Sequence, residues 1–194
     1  DRDSQYISGT GYVNWDANGD NYGIIRMEGN EQVLAEMTGP GVIWRIWSAQ
    51  ADSGHVKIYL DGAAEPAVDL PFSGYFDGTN APFTYSELVH ITASGKNCYV
   101  PIPYQTSCKI VAEEGWGAYY HFDYTTFPAG TIVPTFTRNL TSDEVDALTQ
   151  INNILANCGT DPVGTRPGEL TEEIDITIDP GQTADIIQLT GTQA

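Results

Sequence analysis

The stretch Val42-Ile43-Trp44-Arg45-Ile46-Trp47-Ser48, with Val56-Lys57-Ile58-Tyr59-Leu60-Asp61-Gly62 after it, decides the fold class. Successive side chains of an extended backbone point to opposite faces, so alternation of period two marks a strand. Residues 42–48 set Val42, Trp44 and Ile46 on one face and Ile43, Arg45 and Trp47 on the other, and both faces read as covered. In the second run Val56, Ile58 and Leu60 point inward, and Asp61-Gly62 supplies a turn whose second residue tolerates positive φ.

Working outward, the alternation recurs as far as Leu189. It predicts strands at 98–102, 108–112, 119–124 and 131–136, with Tyr120, Phe122 and Tyr124 on one face. Pro101 and Pro103 share a parity, so their missing N–H groups belong at an edge or a bulge. One helix interrupts the strands, at about 142–157. Thr141 or Ser142 caps it, Asp143 and Glu144 occupy its first turn, Val145, Leu148, Ile151 and Leu155 form its apolar stripe, and Gly159 ends it. The expectation is an all-β jelly-roll sandwich with one late helix over 1–160. A Pro- and Gly-rich connector at 161–169 follows. Residues 170–194 then read as the first strands of a second, incomplete jelly roll, with Ile174, Ile176 and Ile178 alternating before a turn at Pro180-Gly181.

The 194 residues hold 26 Asp and Glu against 8 Lys and Arg, a formal net charge of −18. Such a surface repels phosphate backbones and anionic headgroups, which argues against nucleic acid and membrane partners and leaves neutral glycans and divalent cations. No apolar run is long enough to span a bilayer. The chain opens at Asp1 without an initiator Met or a basic-then-apolar leader, which fits a mature secreted protein or a trimmed chain. Cys98, Cys108 and Cys158 lack metal-ligand spacing. Cys98 and Cys108 flank an expected hairpin and form either a cross-strand disulfide or two buried thiols. His55, His90 and His121 have no i, i+4 partner and read as core or surface histidines, and no nucleophile elbow, phosphate loop or dinucleotide fingerprint is present.

The text from Leu34 to Ser48, Gly54, and Val56 to Gly62 resembles the opening of glycoside hydrolase family 172. Pro66, Pro71-Phe72, Phe76, Pro82-Phe83, Tyr99 to Gln105, Cys108-Lys109-Ile110, Tyr119 to Tyr124 and Phe127-Pro128 agree with it, so the likeness runs from about Asn14 to Phe136 and extends to the helix. It implies a protomer of two jelly rolls, capsid-like in build, assembling as trimers or hexamers and cleaving or transferring furanosides with retention. A retaining glycosidase needs two carboxylates roughly 5–5.5 Å apart. The resemblance puts both in the second jelly roll, near Glu-Gly-Asp and Gly-Thr-Glu-Asp-Tyr motifs. Neither motif occurs here, so no catalytic residue is expected in this chain. Glu113-Glu114 and Glu172-Glu173 are adjacent pairs whose side chains diverge in a strand and cannot flank one bond.

Four weaker sites remain. Asp16, Asn18 and Asp20 space oxygen donors as a calcium loop does, but Asn21 stands where the loop needs Gly and Met27 where it needs a bidentate acid; the bland reading is an Asx-rich turn. Asn14, Trp15 and Asp16 match a family loop of the form Gly-Asn-x-Asp near the substrate pocket, with Val13 in place of the glycine; the alternative is a surface turn. Arg45 either snorkels across aromatic rings or pairs with a carboxylate, and a protein interface is its preferred reading, with Trp44 and Trp47 read as core. Asn139-Leu140-Thr141 is a glycosylation sequon. The functions in order of preference are part of a furanosidase, a structural subunit of an extracellular homo-oligomeric assembly, and a glycan-binding module. No cofactor is required beyond possible calcium.

Overall fold

Twelve strands and one α-helix form in the computed structural model, which describes residues 5–13, 23–168 and 173–186. The strands are β1 (Gln5–Ile7), β2 (Gly11–Val13), β3 (Arg26–Glu28), β4 (Glu31–Thr38), β5 (Gly41–Ala51), β6 (His55–Leu60), β7 (Val68–Pro71), β8 (Val89–Thr92), β9 (Gly95–Cys98), β10 (Ile102–Tyr104), β11 (Ser107–Ala112) and β12 (Gly117–Thr126). Helix α1 spans Ser142–Ala156. The chain divides into two compact units, residues 1–158 and 159–194.

The first unit is a β-sandwich of two antiparallel sheets. One sheet runs β3-β4-β11-β6-β7. The other is built on β5, the 11-residue strand of the stretch that opened the sequence reading. β12 pairs along β5 from Gly41 to Ala51, so β10, at Gly41–Ile43, and β9, at Ile46–Ser48, must share the opposite edge end to end. β8 lies outside β9, and β1 pairs with β2 as a separate hairpin. Between the sheets Ile43, Ile46, Ile58, Phe72, Phe83 and Ile110 are fully buried. Tyr75, in a 3₁₀ turn over Phe72–Tyr75, is buried too; its hydroxyl donates to the Val56 carbonyl at 2.8 Å, so the polar end of a large core side chain is satisfied.

Two bulges reset the alternation. Asp123 faces Arg45 and Tyr124 faces Ile43, so Trp44 is an extra residue on β5. Ile43 and Ile46 therefore both point into the core, while Trp44, Arg45 and Trp47 emerge on the outer face. The reading of Trp44 and Trp47 as core is corrected accordingly; Trp44 is 47% exposed. On β4 the register skips Leu34, and adjacent Val33 and Leu34 are both buried. That break and the flanking acids hid β4 from a period-two reading.

The 98–102 strand splits into the end of β9 and the start of β10, with Pro101 in the gap. Cys98 lies in the β5 sheet and Cys108 in the other, both buried free thiols, so the expected hairpin between them is a crossover between sheets. Residues 131–136 form no strand. Pro103 and Pro134 have no N–H to give a ladder, and the Gln105 amide does the pairing instead. It donates to the Thr131 carbonyl at 3.1 Å and accepts from the Val133 N–H at 2.9 Å, while the Phe136 N–H reaches the Pro103 carbonyl.

Thr141, not Ser142, caps α1: its hydroxyl accepts from the Glu144 N–H and the Glu144 carboxylate accepts from the Thr141 N–H at 2.7 Å, a complete capping box. No helix residue is fully buried; Leu148 packs partly against the core, and Asn152 accepts from the Glu87 N–H at 2.9 Å. In the second unit the turn at Pro180-Gly181 forms, with the Gln182 N–H on the Asp179 carbonyl. Residues 173–186 carry no strand ladder, and Ile174, Ile176 and Ile178 are exposed. A strand without a neighbour has nowhere to place its backbone hydrogen bonds.

Candidate functional site

The outer face of the β5 sheet gathers six planar side chains, five from strands β5, β9 and β12 and one from the residue after β9. Arg45 on β5 faces Asp123 on β12, and Trp47 on β5 faces His121 on β12 and Asn97 on β9. Tyr99, one residue beyond β9, completes the array. The Arg45 guanidinium is its centre. Nη1 donates to Asp123 Oδ2 at 3.0 Å, while Nε and Nη2 share Asn97 Oδ1 at 3.1 and 3.0 Å. The charge lies 6.0 Å from the Trp47 ring centre and 5.8 Å from that of Tyr99, a cation–π position toward each.

The supports are built from below. Asn97 is buried and donates to the Gly95 carbonyl at 3.1 Å, which fixes its carbonyl oxygen toward Arg45. Gly95 has to be glycine because a Cβ there would stand 2.4 Å from the Trp47 indole nitrogen. His121 packs on Trp47 with ring centres 4.9 Å apart, and His90 stacks on Tyr99 at 5.9 Å. The Asp123 side chain is 53% exposed and Arg45 27%, so the pair is reachable from solvent.

Beside the array, a groove of about 660 Å³ runs between the sheet and α1, lined by Trp44, Leu88, Tyr99, Leu148, Ile151 and Leu155 among others. It is almost wholly apolar. A cleft of about 710 Å³ lies on the outer face of the other sheet, near Tyr59 and Lys109. There the charges are already matched: Lys57 bridges Glu31 at 2.7 Å and Glu113 at 2.6 Å, Lys109 pairs with Glu28 at 2.9 Å, and Arg26 holds Glu28 and Glu36. Glu28 and Glu36 sit below the usual carboxylate range, Glu28 through Lys109 and then Arg26, Glu36 through Arg26. On this face Arg26, Lys57 and Lys109 are each paired with acids of the same sheet or the turn beside it.

A family model for the GH172 first beta-sandwich domain matches residues 1–144. The chain belongs to glycoside hydrolase family 172. The matched span contains the twelve strands of the described residues and the whole six-residue array, so the array lies within this GH172 sandwich. No curated protein matches the chain at a significant level.

The remaining expected sites fall as follows. Asn14, Trp15, Asp16, Asn18 and Asp20 lie outside the described residues. Among the described residues no group of three or more His, Cys, Asp or Glu side chains is placed to hold a metal ion. Arg45 lies against the rings of Trp47 and Tyr99 and pairs with Asp123 of its own chain. Asn139 is exposed, and its N–H is bonded to the Thr137 hydroxyl at 3.2 Å. Of the acidic pair, Glu113 is held by Lys57 and Glu114 lies in an exposed turn. The array itself is absent from the sequence reading, because unbroken parity put Arg45 and Trp47 on the face of Ile43.

Proposed function

We propose that this domain is the non-catalytic first half of a secreted GH172 furanosidase, and that the retaining pair of carboxylates is supplied by a second jelly roll outside these residues. The observation that carries the reading is the family match over residues 1–144, joined to a chain in which neither family carboxylate motif occurs. The sandwich would position and extend the substrate site and supply contacts between protomers of a homo-oligomer. The test is a polypeptide in which this chain continues into a second sandwich. It is expected to hydrolyse an aryl α-D-arabinofuranoside or α-D-fructofuranoside and to release first the anomer of retained configuration, as followed by proton NMR. Inversion, or no turnover with any furanoside, contradicts the reading.

A structural subunit of an extracellular assembly is the second reading, favoured by the apolar residues that α1 leaves exposed, Val145, Ile151 and Leu155, the last two lining the groove beside the β5 sheet. Sedimentation of the longer polypeptide separates the two. Large closed assemblies without turnover support the subunit.

A further inference from the structure

We propose that the outer face of the β5 sheet is a binding site for a neutral sugar ring, with the exposed Tyr99 ring as the stacking surface, Trp47 as its packed support and the Arg45–Asp123 pair as the reader of two neighbouring hydroxyls. The inference does not depend on the hydrolase reading. It rests on three features of the array. First, its hydrogen-bonding capacity is unfinished in both senses: Asp123 Oδ1 has no protein partner among the described residues, and Arg45 keeps one hydrogen on each terminal nitrogen after its three bonds. A vicinal diol, each hydroxyl both donor and acceptor, matches that mixed pair.

Second, the groups are held before any ligand arrives. Buried Asn97 fixes two of the guanidinium nitrogens, Asp123 fixes the third, and the Trp47 ring is seated over Gly95, so little freedom is lost on binding. Third, the pair is internally neutral on a chain of net charge −18, which disfavours an anion and gives a cation no unbalanced carboxylate. An apolar protein partner fits worse, because it would cover the open Asp123 oxygen and the two Arg45 hydrogens without replacing their water. A sugar ring packs its C–H face on the Tyr99 phenol and returns those hydrogen bonds.

The experiment is an NMR titration of the 194-residue chain, following the Trp47 indole N–H and the Arg45 Nε–H. The probes are methyl α-D-arabinofuranoside, methyl β-D-fructofuranoside and methyl α-D-glucopyranoside, with sorbitol as an acyclic control. At least one ring sugar is expected to give saturable shifts at both signals, and sorbitol none. Asp123→Asn, on the surface, is expected to weaken binding about tenfold with an unchanged melting temperature. Trp47→Phe, which keeps a smaller ring, is expected to weaken it less. Binding of furanosides upholds the site. Binding of the pyranoside alone also upholds the site while contradicting a furanose-specific protein. Three results overturn it: no saturable shift with any ring sugar, shifts unaltered by Asp123→Asn, or array signals that depend on protein concentration in a chain that Arg45→Ala turns from oligomer to monomer. The last makes the face an interface between copies.

Discussion

Asp61 shows how one carboxylate fastens a loop. It sits in a turn with Gly62 where both take positive φ, 55° and 73°, and it accepts from the N–H groups of Gln105, Thr106 and Ser107 and from the Thr135 hydroxyl. Burial opposes its ionisation, yet the bonds from Thr135, Thr106, Ser107 and Gln105 together outweigh that and bring its pKa down to about 2. A folded pKa below the unfolded one stabilises above the unfolded value, near 4, and that stabilisation is lost as pH falls from there toward 2. Asp61→Asn keeps a residue that tolerates positive φ and removes the charge. Urea titrations should show the variant about 2 kcal/mol less stable at pH 7, with the gap closing toward pH 2. A gap independent of pH would remove the charge from the explanation. The turn was legible in Asp61-Gly62, but its long-range partners were not, since nothing local marks residues 105–107 and 135 as neighbours.

The cysteines give a second test at this scale. Burial pushes the Cys98 and Cys108 thiols up to about 12, and the thiolate is the reactive form. Cys158 is exposed. Iodoacetamide at neutral pH should label Cys158 alone in the native chain and all three cysteines in urea. Native labelling of Cys98 or Cys108 would contradict their burial between the sheets.

Among the elements, α1 is the one whose stability is most local. Its capping box is complete while none of its residues is fully buried. Thr141→Ala should cost about 1 kcal/mol and show as faster amide exchange in the first turns of α1, with β5 and β11 unchanged. Equal acceleration throughout would mean that helix and sandwich open as one unit. The sequence revealed this helix nearly to the residue because caps and 3.6-residue periodicity are local signals. Strands β5, β6, β11 and β12 were legible wherever two-residue alternation was unbroken. The array on β5 was not, because one inserted residue, Trp44, turns every side chain on one side of it to the opposite face. β4 was lost to the same device at Leu34.

At the scale of the whole chain, family membership accounts for the sandwich, and its two outer faces differ in how their charges are matched. The β3-β4-β11-β6 face spends its cations on its own acids, whereas the β5 face keeps one neutral pair among aromatic rings. Of the acidic pair on this sandwich, Glu113 is held by Lys57 and its neighbour Glu114 lies in the following turn, so these two do not stand as free carboxylates across one bond. The most direct measurement is aryl α-furanoside hydrolysis by the 194-residue chain alone, run beside Glu113→Gln and Glu114→Gln. The expected result is no turnover above buffer in any of the three. Turnover by the wild-type chain that disappears in either variant would contradict a non-catalytic sandwich.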